Sequence, residues 1–294
     1  MKKIVTVMTP TYNREHELCK LFESLKLQTS TNFSWLIIDD GSTDGTSELI
    51  ASWLKEDLPF DITLLQKSNG GKHTALNLGF QAVLTELTFI VDSDDVLTPD
   101  AIQSIEYEWS KCRSIELSGI SFLRGNTHNL IIGDAFPITE RYNDIDMRCR
   151  RHVHGDKAEV WRTDILKKYQ FPVFEGERFQ GENYIWWQIA LEYDMYYVNK
   201  IIYITEYLEG GLTRSGRTLR IKCPLGGMEN SRMGLHKRFP LPERFKRAML
   251  YVCYGKFAAL RFHQIVSKSG YPLLISSAYI PGYLLYLYWK HKYL

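Results

Sequence analysis

An α/β fold built around a mostly parallel sheet flanked by helices is what this sequence predicts, and three observations carry that expectation. Short apolar runs alternate with helical periodicities over the first hundred residues, the links between them are short, and polar clusters fall directly after the apolar runs. Such alternation implies parallel strands covered on both faces. In sheets of that kind, ligands bind beyond the carboxyl ends of the strands.

The elements follow in order. Ile4 to Thr9 is a β-branched run, and Leu18, Leu21, Phe22 and Leu25 then repeat at helical spacing, with Asn13 as the expected cap. Trp35 to Asp39 reads as a buried strand, Asp44 to Lys55 as a helix and Ile62 to Gln66 as a strand. Asn69-Gly70-Gly71 opens another helix, and Phe89 to Val91 is a strand running into Asp92-Ser93-Asp94-Asp95. Thr98-Pro99 supplies a capping hydroxyl and a proline for the first helical position. Later, residues 119–133 predict a hairpin around Gly125-Asn126, followed by a helix near Arg162 to Tyr169, one from Glu182 to Tyr193 and a strand from Tyr196 to Ile204. The glycines and arginines of 209–217 predict a mobile loop, and helices are expected from Met228 and from Pro242.

Composition narrows the function classes. The 294 residues suffice for one large α/β domain, expected over 1–225, with a helical C-terminal region over 226–294. Net charge is only +2, which gives no argument for nucleic acid as a partner. Five scattered cysteines without a CxxC pair fit a reduced, cytoplasmic chain and argue against a disulfide scaffold or zinc cluster. The apolar run at Ile4 to Val7 is too short for a signal-peptide core. Residues 269–289 carry no charge and are rich in Leu, Ile and Tyr; Pro272 and Pro281-Gly282 interrupt them. A membrane span is one reading; an interfacial or protein-packed helix at the inner face of the cell membrane suits the tyrosines better.

The chemistry concentrates at strand ends. Three carboxylates in Asp92-Ser93-Asp94-Asp95 repel one another, and a hard divalent cation shared with substrate phosphates relieves that repulsion. A solvated acidic turn is the alternative. Gly70-Gly71-Lys72 at a helix start would let backbone amides approach an anion, with Lys72 adding a point charge. It lacks P-loop spacing, and no GxGxxG follows the first strand. Of Asp39 and Asp40, one carboxylate is expected to accept from a nucleobase imide while the other orders the turn; an Asx-type turn without ligand is the alternative. Trp186, Trp187 and Trp161 offer faces to a sugar or fill the core.

Thr9 to Arg14, Ile38 to Thr46, Gly70 to Asn77 and Val91 to Asp95, in that order and at this spacing, resemble the inverting family-two glycosyltransferases of GT-A fold. The resemblance is specific over residues 4–105, expected to form the nucleotide-sugar-binding part, and looser over 155–216, on the acceptor side. It implies a nucleotide-diphosphate sugar donor, most simply a UDP-sugar, Mn²⁺ or Mg²⁺ as cofactor, and a glycan, lipid-linked or polymer acceptor near a membrane surface. Thr11 and Tyr12 would flank the base and Asp40 would take its imide edge. Pro10, Arg14, Gly71 and Ser93 would complete the donor site. Asp92 and Asp94 would form the DxD element at the metal, Asp95 would support them, and Lys72 would sit near the diphosphate or the donor sugar. The family's base lies in a Glu-Asp pair at a helix start; here that stretch is Glu182-Asn183, so Glu182 is the expected base. Asp156 is the reserve base, with Glu175 and Glu177 behind it. Trp186 and Arg214 belong to the acceptor side or a closing loop. A sugar nucleotidyltransferase and a non-catalytic nucleotide-sugar-binding module are the alternatives, the second motivated by Asn183.

Overall fold

The structure, a computed structural model, describes residues 3–205 and 212–294, without the side chains of 212–215. It contains two compact units, Met1–Gln170 with Glu192–Tyr207, and Phe171–Leu191 with Leu208–Leu294. The stretch expected to belong to the acceptor side of the first domain, 171–191, therefore packs with the C-terminal helices.

The first unit runs β1 (Val5–Thr11), α1 (Glu17–Lys26), β2 (Phe33–Asp39), α2 (Thr46–Trp53), β3 (Asp61–Gln66), α3 (Lys72–Ala82) and β4 (Leu87–Ile90). It continues with β5 (Val96–Leu97), α4 (Ala101–Cys112), β6 (Leu117–Gly125), β7 (Arg141–Tyr142), α5 (Asp144–Cys149), β8 (Lys157–Arg162), α6 (Thr163–Leu166) and β9 (Asp194–Ile204). One sheet takes the order β3-β2-β1-β4-β8-β6-β9-β5, with β7 on β9. The first four strands are parallel. The expectation of a mostly parallel sheet stops there: β8 runs antiparallel to both β4 and β6, and β5 and β7 run antiparallel to β9, while β6 and β9 are parallel. A loop excursion and the short α5, rather than a long crossover helix, join β6 to β8, so the chain is free to return antiparallel.

The parallel strands hold because both their faces are apolar. Val5, Val7, Trp35, Ile37 and Phe89 are fully buried under α1 and α2. Phe22 stacks on Trp53 at 4.2 Å and Trp35 lies 5.7 Å from Trp53, contacts worth about 0.5–1.5 kcal/mol each beyond area burial. The Trp35 indole N–H, which burial would otherwise orphan, donates to Thr9 Oγ1 at 3.0 Å.

Several local expectations change. Asn13 is not a helix cap, since α1 starts at Glu17 after His16. Asn13 instead adopts φ +51°, a region asparagine tolerates, accepts the Thr43 N–H and donates its own N–H to Ser42, tying two strand-end loops together. Thr98 and Pro99 form a turn, with Thr98 O accepting the Ala101 N–H, and α4 begins after Asp100. The expected hairpin closes at Gly125 and Ile131 only; Gly133, at φ +74°, turns the chain away. The loop expected over 210–216 is helical from Leu212, because one glycine costs a helix only about 1 kcal/mol. Glu209, Gly210 and Gly211 lie outside the described residues.

The second unit holds α7 (Asn183–Glu192), α8 (Leu212–Lys222), α9 (Pro224–Met233), α10 (Leu241–Phe257), α11 (Phe262–Ser269) and α12 (Pro272–Tyr293). Tyr251, Val252, Ile265, Ile275, Ala278 and Trp289 form its core. Gly282 lets α12 close on α10: a Cβ there would stand 2.7 Å from Met249 O and from Val252 Cβ. No described helix is long and apolar enough to cross a membrane, so the spanning reading of 269–289 is set aside, and one face of α12 packs into the core of its unit.

Candidate active site

The carboxyl ends of β1, β2 and β4 lie side by side, which brings the acidic turn, the Asp39-Asp40 loop and the residues after Thr9 to one edge of the sheet. The acidic turn is the more elaborate. Val91 N–H still donates to Met8 O; the chain then turns, with Asp95 N–H on Asp92 O. Tyr203, from β9, bridges the turn. Its hydroxyl accepts the Asp92 N–H at 2.9 Å and donates to Asp95 Oδ2 at 2.8 Å. Arg124, near the end of β6, lies over the Tyr203 ring at 4.0 Å, with its guanidinium 3.7 Å from Asp95 and 4.0 Å from Asp92. Its Nε–H donates to Lys157 O. Lys72 Nζ, from the first turn of α3, donates to Asp92 Oδ1 at 2.5 Å.

These neighbours separate the three carboxyls. Burial pushes Asp92 up, but Lys72 and Arg124 outweigh it and hold the group below the ordinary carboxylate value. Asp95 is pushed up to about 7 by burial and by Asp92, against the Tyr203 hydrogen bond and Arg124. Asp94 is raised by burial and by Asp92, with Arg14 and Lys72 pulling the other way. Asp95 thus braces the turn, Asp92 is charge-paired, and Asp94 carries a charge its surroundings penalise. A cation would relieve that penalty. Among the described residues no group of three or more Asp, Glu, His or Cys is arranged as a complete metal site. Asp92 and Asp94 are hard oxygen donors of the kind that would hold a divalent ion shared with a bound diphosphate.

The second loop is built differently. Asp39 accepts the Ser42 N–H at 2.9 Å and the Ser47 hydroxyl at 2.7 Å. Asp40 accepts Lys67 Nζ at 2.6 Å and the Gly70 N–H at 3.0 Å on Oδ1, and the Gly71 N–H at 2.7 Å on Oδ2. The glycine amides expected to face a phosphate therefore face an internal anion, Asp40, and only Oδ2 keeps an acceptor position. Gly41 makes this closure possible: at φ +80°, a Cβ would stand 2.7 Å from Asn69 N.

Pro10 and Thr11 are buried at the end of β1, and Thr11 Oγ1 has no hydrogen-bond partner. Tyr12 is 43% exposed beside them. Arg14 donates its N–H to Thr46 Oγ1 and its charge reaches Asp94. Ser93 is buried in the acidic turn. Asp156 is exposed ahead of β8. In the second unit, Glu182 immediately precedes α7, and its carbonyl accepts the N–H groups of Ile185 and Trp186. Trp186 is half-buried on that helix, whereas Trp187 and Trp161 are core residues. Glu177 is occupied capping α9 through the Leu225 and Gly226 N–H groups, which removes it as a reserve base. Arg214 lies on α8 with its side chain outside the described residues.

Sequence reasoning missed Arg124, Tyr203 and Lys67. Arg124 had one signal, a lone cation closing a seven-residue buried run in β6. Tyr203 had none, being 111 residues from the amide it holds.

The sheet with its acidic strand-end turn is the arrangement of a GT-A fold, and comparison with known proteins supplies the family. The profile of Glycosyl transferase family 2 matches residues 6–156, and the chain belongs to that family. Glycosyltransferase GlyG of Streptococcus pneumoniae TIGR4 is 24% identical over 242 residues, 76% of each chain. Glycosyltransferase GlyA of the same organism is 31% identical over 221 residues, 71% of this chain and 31% of that protein. Residues 1–349 of Staphylococcus aureus TarS, solved with UDP-GlcNAc, superpose at TM-score 0.64 with 18% identity, covering 99% of this chain and 92% of that one. Mannosyltransferase PcManGT from Pyrobaculum calidifontis, solved with GDP-Man and Mn²⁺, gives 0.59 at 16% identity, covering 98% and 88%.

Proposed function

We propose that this glycosyltransferase is inverting and metal-assisted, moving a sugar from a nucleotide diphosphate, with uridine as the base, to a hydroxyl of a glycan, lipid-linked or polymer acceptor. The observation that carries the reading is Asp94, a half-buried carboxyl pushed toward neutrality beside the charge-paired Asp92, on a turn fixed from behind by Tyr203 and Arg124. The Thr11 hydroxyl, buried with its hydrogen-bonding capacity unused, and the exposed Tyr12 ring supply a polar and a stacking contact for a base. The remaining acceptor position on Asp40 Oδ2 suits an imide N–H. Lys72 and Arg14 bring positive charge toward the diphosphate. Mg²⁺ or Mn²⁺ on Asp94 and Asp92 would neutralise the leaving diphosphate.

Glu182 is the proposed general base. It takes the acceptor hydroxyl's proton, the oxygen attacks the anomeric carbon, and the diphosphate leaves on the opposite face, so an α-linked donor gives a β-linked product. Trp186, Asp156 and Arg214 are assigned to the acceptor side. General-base assistance is worth about 10²–10⁴ in rate, so Glu182→Gln should cripple turnover without abolishing donor binding.

The test is donor turnover across a panel of nucleotide sugars with Mn²⁺, for wild type, Asp94→Ala and Glu182→Gln. Metal-dependent consumption of one donor, lost in both variants, supports the reading and names the sugar. Binding without turnover under any acceptor would favour a binding module, consistent with Asn183 in the aspartate position. Condensation of a nucleoside triphosphate with a sugar phosphate would favour a nucleotidyltransferase.

A further inference from the structure

A helix that is apolar all round is normally buried all round. Helix α12 is not. Ile275, Ala278, Gly282 and Trp289 are buried in the second unit's core, yet the opposite face exposes Leu273 (87%), Ile280 (72%), Leu284 (58%), Leu287 (43%) and Tyr288 (54%). Positions 273, 280 and 287 recur every seven residues, 284 falls between the last two and 288 follows it at i+4, so these side chains lie along one face. No charged residue interrupts the helix between Pro272 and Trp289. Pro281, the buried opposite face and the failure to qualify as a span argue that such a helix lies on a bilayer and does not cross it.

The rim of the stripe is aromatic and cationic. Tyr279 and Tyr283 stack, and Phe262, itself exposed, meets Tyr279 edge-on at 4.6 Å. Lys256 lies 5.7 Å from the Tyr283 ring, Lys290 5.9 Å from Tyr286 and Lys292 5.6 Å from Tyr288. The charge of the chain is divided the same way. Residues 212–294 contain fifteen Lys and Arg against two Asp and Glu, a net +13 in a chain of +2, which leaves −11 on the remainder. A net-positive segment carrying an uncharged apolar stripe rimmed by Lys256, Lys290 and Lys292 is complementary to an anionic lipid surface, where tyrosine prefers the headgroup level.

We propose that the exposed stripe of α12 is a docking surface for an anionic phospholipid bilayer. Leu273, Ile280, Leu284 and Leu287 enter the acyl boundary, Tyr283 and Tyr288 sit among the headgroups, and Lys256, Lys290 and Lys292 meet the phosphates. This surface is argued independently of the donor chemistry and would place the enzyme where a lipid-linked acceptor is presented.

The experiment is co-sedimentation of the full chain with vesicles of phosphatidylcholine, alone or with roughly one-third phosphatidylglycerol. The wild type is expected to bind the anionic vesicles and to lose binding as salt rises. Ile280→Glu with Leu284→Glu should lower affinity by at least about tenfold, and Lys290→Gln with Lys292→Gln by about twentyfold, near fivefold per lysine. Because these side chains are exposed, thermal melts should be unchanged, and Ile280→Gln with Leu284→Gln provides a milder pair should the glutamates perturb folding. Donor hydrolysis without vesicles should be equal in wild type and all variants, so failure here leaves the catalytic reading standing. Equal sedimentation of wild type and the Glu or Gln pair would overturn the proposal. So would a dimer in solution that the Glu pair dissociates, with no vesicle binding, since a second copy would then cover the stripe.

Discussion

The two acidic loops at the carboxyl edge of the sheet look alike as sequence and are held in place by different means. Asp39 and Asp40 spend most of their acceptor capacity on the chain itself: three backbone N–H groups, one serine hydroxyl and Lys67. Asp92, Asp94 and Asp95 meet side chains from three distant elements, and one of the three is left with its charge unrelieved. A carboxylate held mainly by backbone amides and a lysine is fixed in place by the chain, with one acceptor position left over. One raised by burial and by a like-charged neighbour marks the place where a ligand's charge is expected.

Breaking the contrast at its sharpest point, Asp94→Asn should reduce transfer on the order of 10²–10³, corresponding to several kcal/mol of lost leaving-group stabilisation, and leave the melting temperature unchanged or higher. Asp40→Asn should do the reverse in emphasis. It removes the charge that Lys67 and two glycine amides share, at about 2–3 kcal/mol of unfolding free energy in urea titration, because the amide offers one acceptor oxygen where the carboxylate offered two. Tyr203→Phe deletes both hydrogen bonds that bridge the acidic turn while keeping the ring under Arg124. A loss of about 1–2 kcal/mol is expected, with a higher donor KM in the presence of Mn²⁺. Retention of wild-type KM would reduce Tyr203 to a core residue.

A further test lies one layer deeper. Glu159 is raised by burial to about 7 from an ordinary 4.5, against Arg148 and Arg124. The folded chain holds that proton more tightly than the unfolded chain does. Its contribution to stability is therefore full below about 4.5 and is lost as pH rises through about 7. Urea midpoints for the wild type should fall between about pH 5 and pH 8, and Glu159→Gln should flatten that fall.

Much of the first unit was legible because buried parallel strands leave continuous apolar runs, and loop polarity marks where each one ends. Asp92 to Asp95 stood out on that ground alone. What was hidden is tertiary. Arg124 and Tyr203 come from strands far along the chain, and no local pattern says which turn they will brace. The glycine amides of Gly70 and Gly71 were read as an anion cradle, which they are; the anion is Asp40, thirty residues back. The antiparallel return of β8 escaped for a related reason, since strand direction depends on the connection and not on the strand's own residues. In α8 a single glycine was given too much weight against a run of helix-compatible neighbours.

The proposed role of Asp94 in holding a metal-borne diphosphate is tested by titration of UDP into wild type and Asp94→Asn, with and without Mn²⁺. Mn²⁺ should tighten UDP binding at least about tenfold in the wild type, about 1.4 kcal/mol, and this increment should vanish in the variant while metal-free binding persists. An equal Mn²⁺ increment in both proteins, or no UDP binding in either, would contradict it.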